Sequence, residues 1–289
     1  MKNSTAVAAK PLTEQLQVAV RRIEKFSPAP SILARAMMLM RDDQCEVSTV
    51  ASLIRNDTGL AADILRISNS VYFGAHQPSQ SVDEALQTIG FAETMRLLTL
   101  AVSRIMTSSN LDNYCISAED FWAESLFNGL FMEQLAQTTG GADPAEAYTC
   151  GLLRYLGRLA INQAIHDIGG GLFWVGLEPL SQWEQNSLGF THAQVGADLL
   201  RKWKFPEELV IACEGQECPG MLKPPSWMAS ALFFISSVLP QTFDQPFVPV
   251  RVPATNTDFM HPNALTEDTV EQAFQEACIR YREIREELS

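Results

Sequence analysis

Lys and Arg are scarce in this sequence and nowhere gathered: 21 stand against 34 Asp and Glu in 289 residues, a net charge of −13. Without a cationic run, nothing in the chain can follow a phosphate backbone, which disfavours direct nucleic-acid binding. Long apolar runs are missing too. The longest uncharged one, Trp227 to Leu239, falls short of the ~20 residues a membrane span takes and reads as a buried helix. Met1 to Lys10 offers only Ala6-Val7-Ala8-Ala9 as an apolar stretch, too short for a signal peptide. A loose tail over residues 1–12 and a cytoplasmic location are therefore expected. The six cysteines form no Cys-x-x-Cys pair, and most fall in apolar helical patterns, which predicts buried, reduced thiols. Cys213, Cys218 and His192 fall short of the full tetrahedral set of a structural zinc site. No Ser/His/Asp or Cys/His set, phosphate-cradling glycine loop or dinucleotide fingerprint stands out, so no cofactor is expected.

What is present is helical pattern. At 46% hydrophobic the chain can bury a sizeable core, and nearly every apolar segment repeats with the spacing of a helix face, predicting an all-α fold without significant β-sheet. Ser81-Val82-Asp83-Glu84 and Thr191-His192-Ala193-Gln194 read as capping boxes, and Asp143-Pro144-Ala145-Glu146 as a capped start with proline in the first turn. Ser27-Pro28-Ala29-Pro30 breaks the first helix, and Gly140-Gly141 stops a long one begun at Ala118. Thr107-Ser108-Ser109-Asn110 reads as a linker ending the first half, Phe173-Trp174-Val175 as irregular, and the Pro-rich segment 240–262 as a surface loop. These breaks divide the chain into helical subdomains over 13–110 and 116–218 and a helical extension over 219–289. The last helix, from Glu267, carries Val270, Ala273, Phe274, Ala277, Tyr281 and Ile284 on one side. That stripe either docks on its own domain or waits for another protein.

The most informative stretch is Gly151-Leu152-Leu153-Arg154-Tyr155-Leu156-Gly157. It resembles Gly-Leu-Leu-His-Asp-Ile-Gly, the centre of the HD metal phosphohydrolases, with the metal-binding His-Asp doublet replaced by Arg154-Tyr155. A guanidinium cannot ligate a divalent metal, and an un-ionised phenol is a poor ligand. A literal His166-Asp167-Ile168-Gly169 lies downstream, but Gly170 and Gly171 follow it, so it sits where a helix ends and reads as a solvated polar pair.

Further segments extend the likeness: Leu53-Ile54-Arg55-Asn56-Asp57, Ile64 through Ser70 with Val71-Tyr72-Phe73-Gly74, Ser81 through Gly90, and Thr191 through Ala197. Together with the heptapeptide, and over roughly residues 15 to 218, they are similar to the HD-related output domain (HDOD), a bacterial family generally without the metal ligands of its HD relatives. Thr58-Gly59 stands where the family usually has proline after Asp57, a change that still permits a turn. Carried over by the resemblance, the vestigial site positions are Glu124, Arg154, Tyr155, His192 and Gln216. Among them His192 is an isolated imidazole, expected to be a half-buried packing residue, and Glu124 is expected to pair with Arg154 and plug the pocket. The resemblance implies a non-catalytic signalling module that meets sensor kinases, response regulators or cyclic-dinucleotide enzymes. Two alternatives stay open: a pseudoenzyme holding a nucleotide or small anion through Arg154, and a residual phosphohydrolase around Glu124, His192, His166 and Asp167.

Overall fold

The computed structural model describes residues 12–22, 29–42, 44–70, 79–239, 259 and 265–288. The tail before Leu12, Ser27-Pro28, Val71-Tyr72-Phe73-Gly74 and all of the 240–262 loop except Phe259 fall outside them. Among the described residues the chain is all-α, and the one pairing of extended backbone is an isolated bridge between Leu111 and Ile116. No helix among them is long and apolar enough to cross a membrane.

The first half holds α1 (Leu12–Arg22), α2 (Ala29–Met40), α3 (Val47–Arg55), α4 (Thr58–Ser68), α5 (Val82–Ile89) and α6 (Phe91–Met106). Asp57 caps α4 by accepting the Leu60 N–H at 3.0 Å, so the start survives without a proline after Asp57. The capping box expected at Ser81 forms by half. Ser81 Oγ accepts the Glu84 N–H at 3.2 Å, but the Glu84 carboxylate takes the Gln80 N–H at 2.8 Å rather than that of Ser81. Beyond Thr107 the expected linker gives way to a tied turn: Asp112–Tyr114 form a 3₁₀ turn inside the bridge, and Tyr114 is buried.

The second half holds α7 (Ala118–Thr139), α8 (Pro144–Leu153), α9 (Leu156–Asp167), α10 (Leu180–Leu188), α11 (His192–Lys202), α12 (Glu207–Gly215), α13 (Trp227–Val238) and α14 (Glu267–Leu288). α7 is buried on every side from Glu124 to Ala136, the signature of a central helix rather than an amphipathic surface one. Packed around it are α6, α8, α13 and α14. The apolar stripe of α14 docks on its own domain: Phe274 meets Phe127 and Phe131 at ring-centroid distances of 5.4 and 5.7 Å, and Tyr281 meets Phe127 at 6.1 Å. Arg280 of α14 also donates to Glu133 of α7 at 3.3 Å.

The two halves share one apolar core, and the buried hydroxyls of Thr99 in α6 and Thr149 in α8 meet across them at 3.1 Å. α1 packs on α9 and α10, so the first helix sits with the second half of the chain. The thiols differ from expectation: Cys150 and Cys213 are buried, Cys45 and Cys278 are intermediate, and Cys115 and Cys218 are exposed. Cys115 follows the 3₁₀ turn and Cys218 lies beyond the end of α12, both off the apolar faces on which the expectation rested.

Candidate functional site

The glycines that open and close the heptapeptide mark two places where backbones touch. A Cβ on Gly151 would lie 2.5 Å from the Asn128 carbonyl oxygen of α7, and one on Gly157 would lie 2.0 Å from the His192 carbonyl oxygen of α11. Those contacts fasten α8 against α7 and α9 against α11. Between the glycines the helix breaks at Tyr155 (φ −100°, ψ 15°), so Arg154 and Tyr155 project from a bend held on two sides.

Arg154 is 2% exposed. Its Nε donates to Gln216 Oε1 at 3.1 Å, its Nη1 to Asn128 Oδ1 at 3.0 Å, and its Nη2 to the Ser236 hydroxyl. Gln216 returns the contact by donating from Nε2 to the Arg154 carbonyl at 3.1 Å. Among the described residues, every side-chain acceptor of this buried guanidinium is therefore neutral. Glu124 pairs with a different arginine, Arg158 of α9, whose Nη1 reaches its Oε2 at 3.1 Å. The expected Glu124–Arg154 pair is thus replaced, because Asn128 and Gln216 hold Arg154 on one heading while α9 presents Arg158 to the carboxylate. Burial pushes the Glu124 carboxyl above its ordinary range, against the pull of Arg158 and Arg154. Burial would lower Arg158, but Glu124 and Tyr155 outweigh it and raise the guanidinium. The guanidinium carbons of Arg154 and Arg158 lie 4.4 and 3.5 Å from the Tyr155 ring centroid, within cation–π range.

His192 is neither isolated nor half-buried. At 4% exposure it opens α11 behind the capping box of Thr191 and Gln194, and both its backbone N–H and its Nδ1 meet Glu184 Oε2, at 2.8 and 2.7 Å. Glu184 Oε1 accepts the Tyr114 hydroxyl at 2.9 Å. Burial would raise the Glu184 carboxyl, but His192, its amide and Arg158 prevail and leave it below its ordinary value. An ionised carboxylate only accepts, so Nδ1 is the ring nitrogen that donates to it. Nε2 lies 3.9 Å from Glu217 Oε1. Burial raises the Glu217 carboxyl, with His192 opposing and Glu184 adding to the rise.

Arg154, Tyr155, His192 and Gln216 line one cavity of about 260 Å³, together with Arg158 and Glu217. Glu124 stands behind it and is reached through Arg158. His166 and Asp167 are not among its walls; their side chains are 81% and 52% exposed at the end of α9. Arg158, Glu184 and Glu217 carry much of the site's charge and no motif announces them. Glu184 alone left a trace: it interrupts the apolar face Leu180, Glu184, Leu188 of α10, where a carboxylate needs a buried partner.

The metal implied by HD-type relatives does not fit these residues. Arg154 and Tyr155 supply no ligand, Gln216 Oε1 is taken by Arg154, and Glu124 by Arg158. Glu184, His192 and Glu217 do place ligand atoms within 4.8 Å of one another. Both Glu184 oxygens and His192 Nδ1 are already engaged, however, which leaves His192 Nε2 and Glu217 beside two guanidiniums. A catalytic metal takes about three protein ligands and a site free of adjacent cations.

Comparison with known proteins places the fold and the family. A curated but uncharacterized protein of Treponema pallidum is 26% identical over 194 residues, covering 65% of this chain and 37% of that protein, so the chain spans little more than a third of its length. A solved HDOD domain protein from Geobacter sulfurreducens superposes with a TM-score of 0.69 at 17% identity, over 96% of this chain and 98% of that one. A protein of Marinobacter aquaeolei VT8, provisionally named for signal transduction, gives 0.72 at 20% identity over 94% of this chain and 64% of that one. A protein of Shewanella amazonensis SB2B, provisionally named a phosphohydrolase, gives 0.65 at 20% identity over 95% and 98%. At these identities the solved structures share the fold alone. Residues 26–219, well over half of the 289, match the HDOD domain, and the chain belongs to the HDOD domain family.

Proposed function

We propose that this chain is a non-catalytic regulatory module of bacterial signal transduction, working in the cytoplasm through protein–protein contacts on an HD-like scaffold. The observation that carries the reading is Arg154, a buried guanidinium held by Gln216, Asn128 and Ser236 at the position to which the resemblance assigns a metal ligand of HD-type enzymes. Its charge opposes a cation, and its three bonds resist displacement. Glu124, Arg154, Tyr155, His192 and Gln216 are on this reading a vestigial site kept for its packing. Subdomains over 13–110 and 116–218, with the 219–289 extension covering α7, form the scaffold. The signalling name of the Marinobacter relative supports a regulatory role, and the family suggests sensor kinases, response regulators or cyclic-dinucleotide enzymes as partners.

Affinity capture with the full chain from its native cell tests the reading. A reproducible partner from a signalling class, whose binding survives Arg154→Gln, is the expected result. Absence of any reproducible protein partner contradicts it.

A further inference from the structure

The cavity is better furnished for an anion than for a metal. Two of the groups that line it, Arg154 and Arg158, are guanidiniums, one, Glu217, is a carboxyl, and the Nδ1 of another, His192, is spent on Glu184. The other nearby carboxylates face away from it: Glu124 is 7% exposed and bonded to Arg158, and Glu184 is 0% exposed and bonded to His192 and Tyr114. Among the described residues Arg154 has only neutral side-chain acceptors, and no carboxylate there contacts its charge. Arg158 is 6% exposed. Among the described residues only its Nη1 meets an acceptor, and its Nε is buried without one. Buried guanidiniums normally find a full set of acceptors, because an unmet charged donor loses its hydration for nothing. Ser181, on the first turn of α10, also lines the cavity.

We propose that this cavity binds a small molecule through an oxyanion group, phosphate or carboxylate, seated between Arg154 and Arg158 with Ser181 as a further donor. Guanidiniums suit that role because their N–H groups match paired oxygens. The exposed face of Phe233, 44% accessible at the mouth, gives the rest of such a molecule an apolar wall. Glu217 limits affinity for a bare anion, being the one carboxyl among the described residues that lines the cavity. The inference rests on the reading above in one respect: the ligand is held and not hydrolysed.

Calorimetric titration of the full chain at low ionic strength, with inorganic phosphate, a nucleoside monophosphate and citrate as separate probes, tests it. Saturable binding of at least one probe is expected. Phosphate probes without citrate identify the phosphate source, and citrate alone the carboxylate. Arg158→Lys keeps a cation beside Glu124 and should weaken binding about tenfold or more, since an ammonium offers no planar fork. Glu217→Gln should tighten binding several-fold by removing the opposing charge, a gain that loss of folding does not mimic. No heat with any probe, or binding indifferent to both substitutions, overturns the proposal while leaving the non-catalytic reading intact. Release of inorganic phosphate from the bound nucleotide contradicts that reading and leaves the binding site standing.

Discussion

Arg154 and Arg158 both lie against Tyr155, but what holds each differs, and so does the cost of losing it. Removing Arg158 strands the Glu124 carboxylate in the interior, a loss of about 3–5 kcal/mol. Removing Arg154 leaves neutral amide and hydroxyl groups short of a donor, at about 1–3 kcal/mol. Urea denaturation should therefore rank Arg158→Met as the worse variant, and Glu124→Leu added to Arg158→Met should recover much of its loss. Equal effects in the two single variants would refute the pairing. Glu184 adds a pH dependence of definite sign. Its folded carboxyl lies below the ordinary value, so its stabilisation is present above the unfolded carboxyl range and disappears as pH falls through the folded value. The stability gap between wild type and Glu184→Gln should be widest near neutral pH, about 1.5–3 kcal/mol, and close in acid. Glu124, raised by burial, works in the opposite direction, which is why the gap and not the wild-type profile is the quantity to measure.

The thiols give a count at the same scale. Cys115 and Cys218 should react with an aromatic disulfide reagent in the native protein, while Cys213, pushed up to about 12 by burial, and Cys150 should react only on unfolding. What composition left out was position along the chain: Cys218 lies past the end of α12 and Cys115 beside a turn, neither on an apolar face. Arg158 and Glu217 were equally silent in the sequence. Charges on a helix such as α9, or in a turn such as that after α12, normally go to water, and only tertiary packing turns these inward.

At the scale of the element, the heptapeptide's glycines matter as much as the doublet between them. A Cβ at Gly157 would meet backbone rather than a flexible side chain, so α9 and α11 must separate to admit it. Gly157→Ala should lower stability by about 1–3 kcal/mol, whereas Gly220→Ala, with nothing near its Cβ position, should change little. Thermal melts of the two variants decide this, and equal melting temperatures would show that the close approach is not structural. Helix starts carrying a polar cap, such as Ser81, Asp143 and Thr191, were legible because a side-chain oxygen must satisfy exposed amides there. The turn after Thr107 was not, because its order comes from Tyr114 reaching a glutamate in α10, a contact far along the chain.

At the scale of the molecule, one continuous core and a long terminal helix laid on α7 argue for a single cooperative unit. Truncation before Glu267 exposes Phe127 and Phe131 on α7 and should abolish the cooperative transition; a truncated chain that melts as sharply as the full one would contradict it. The same integration holds the heptapeptide's positions in place. The bend between α8 and α9 is fixed by glycine contacts, and the positions it presents are filled by groups that hold one another. The central claim, that these positions no longer hold a metal, is tested most directly by elemental analysis of the full chain purified without chelator. The account predicts iron, manganese and zinc all far below one equivalent, and a stoichiometric amount of any of them would contradict it.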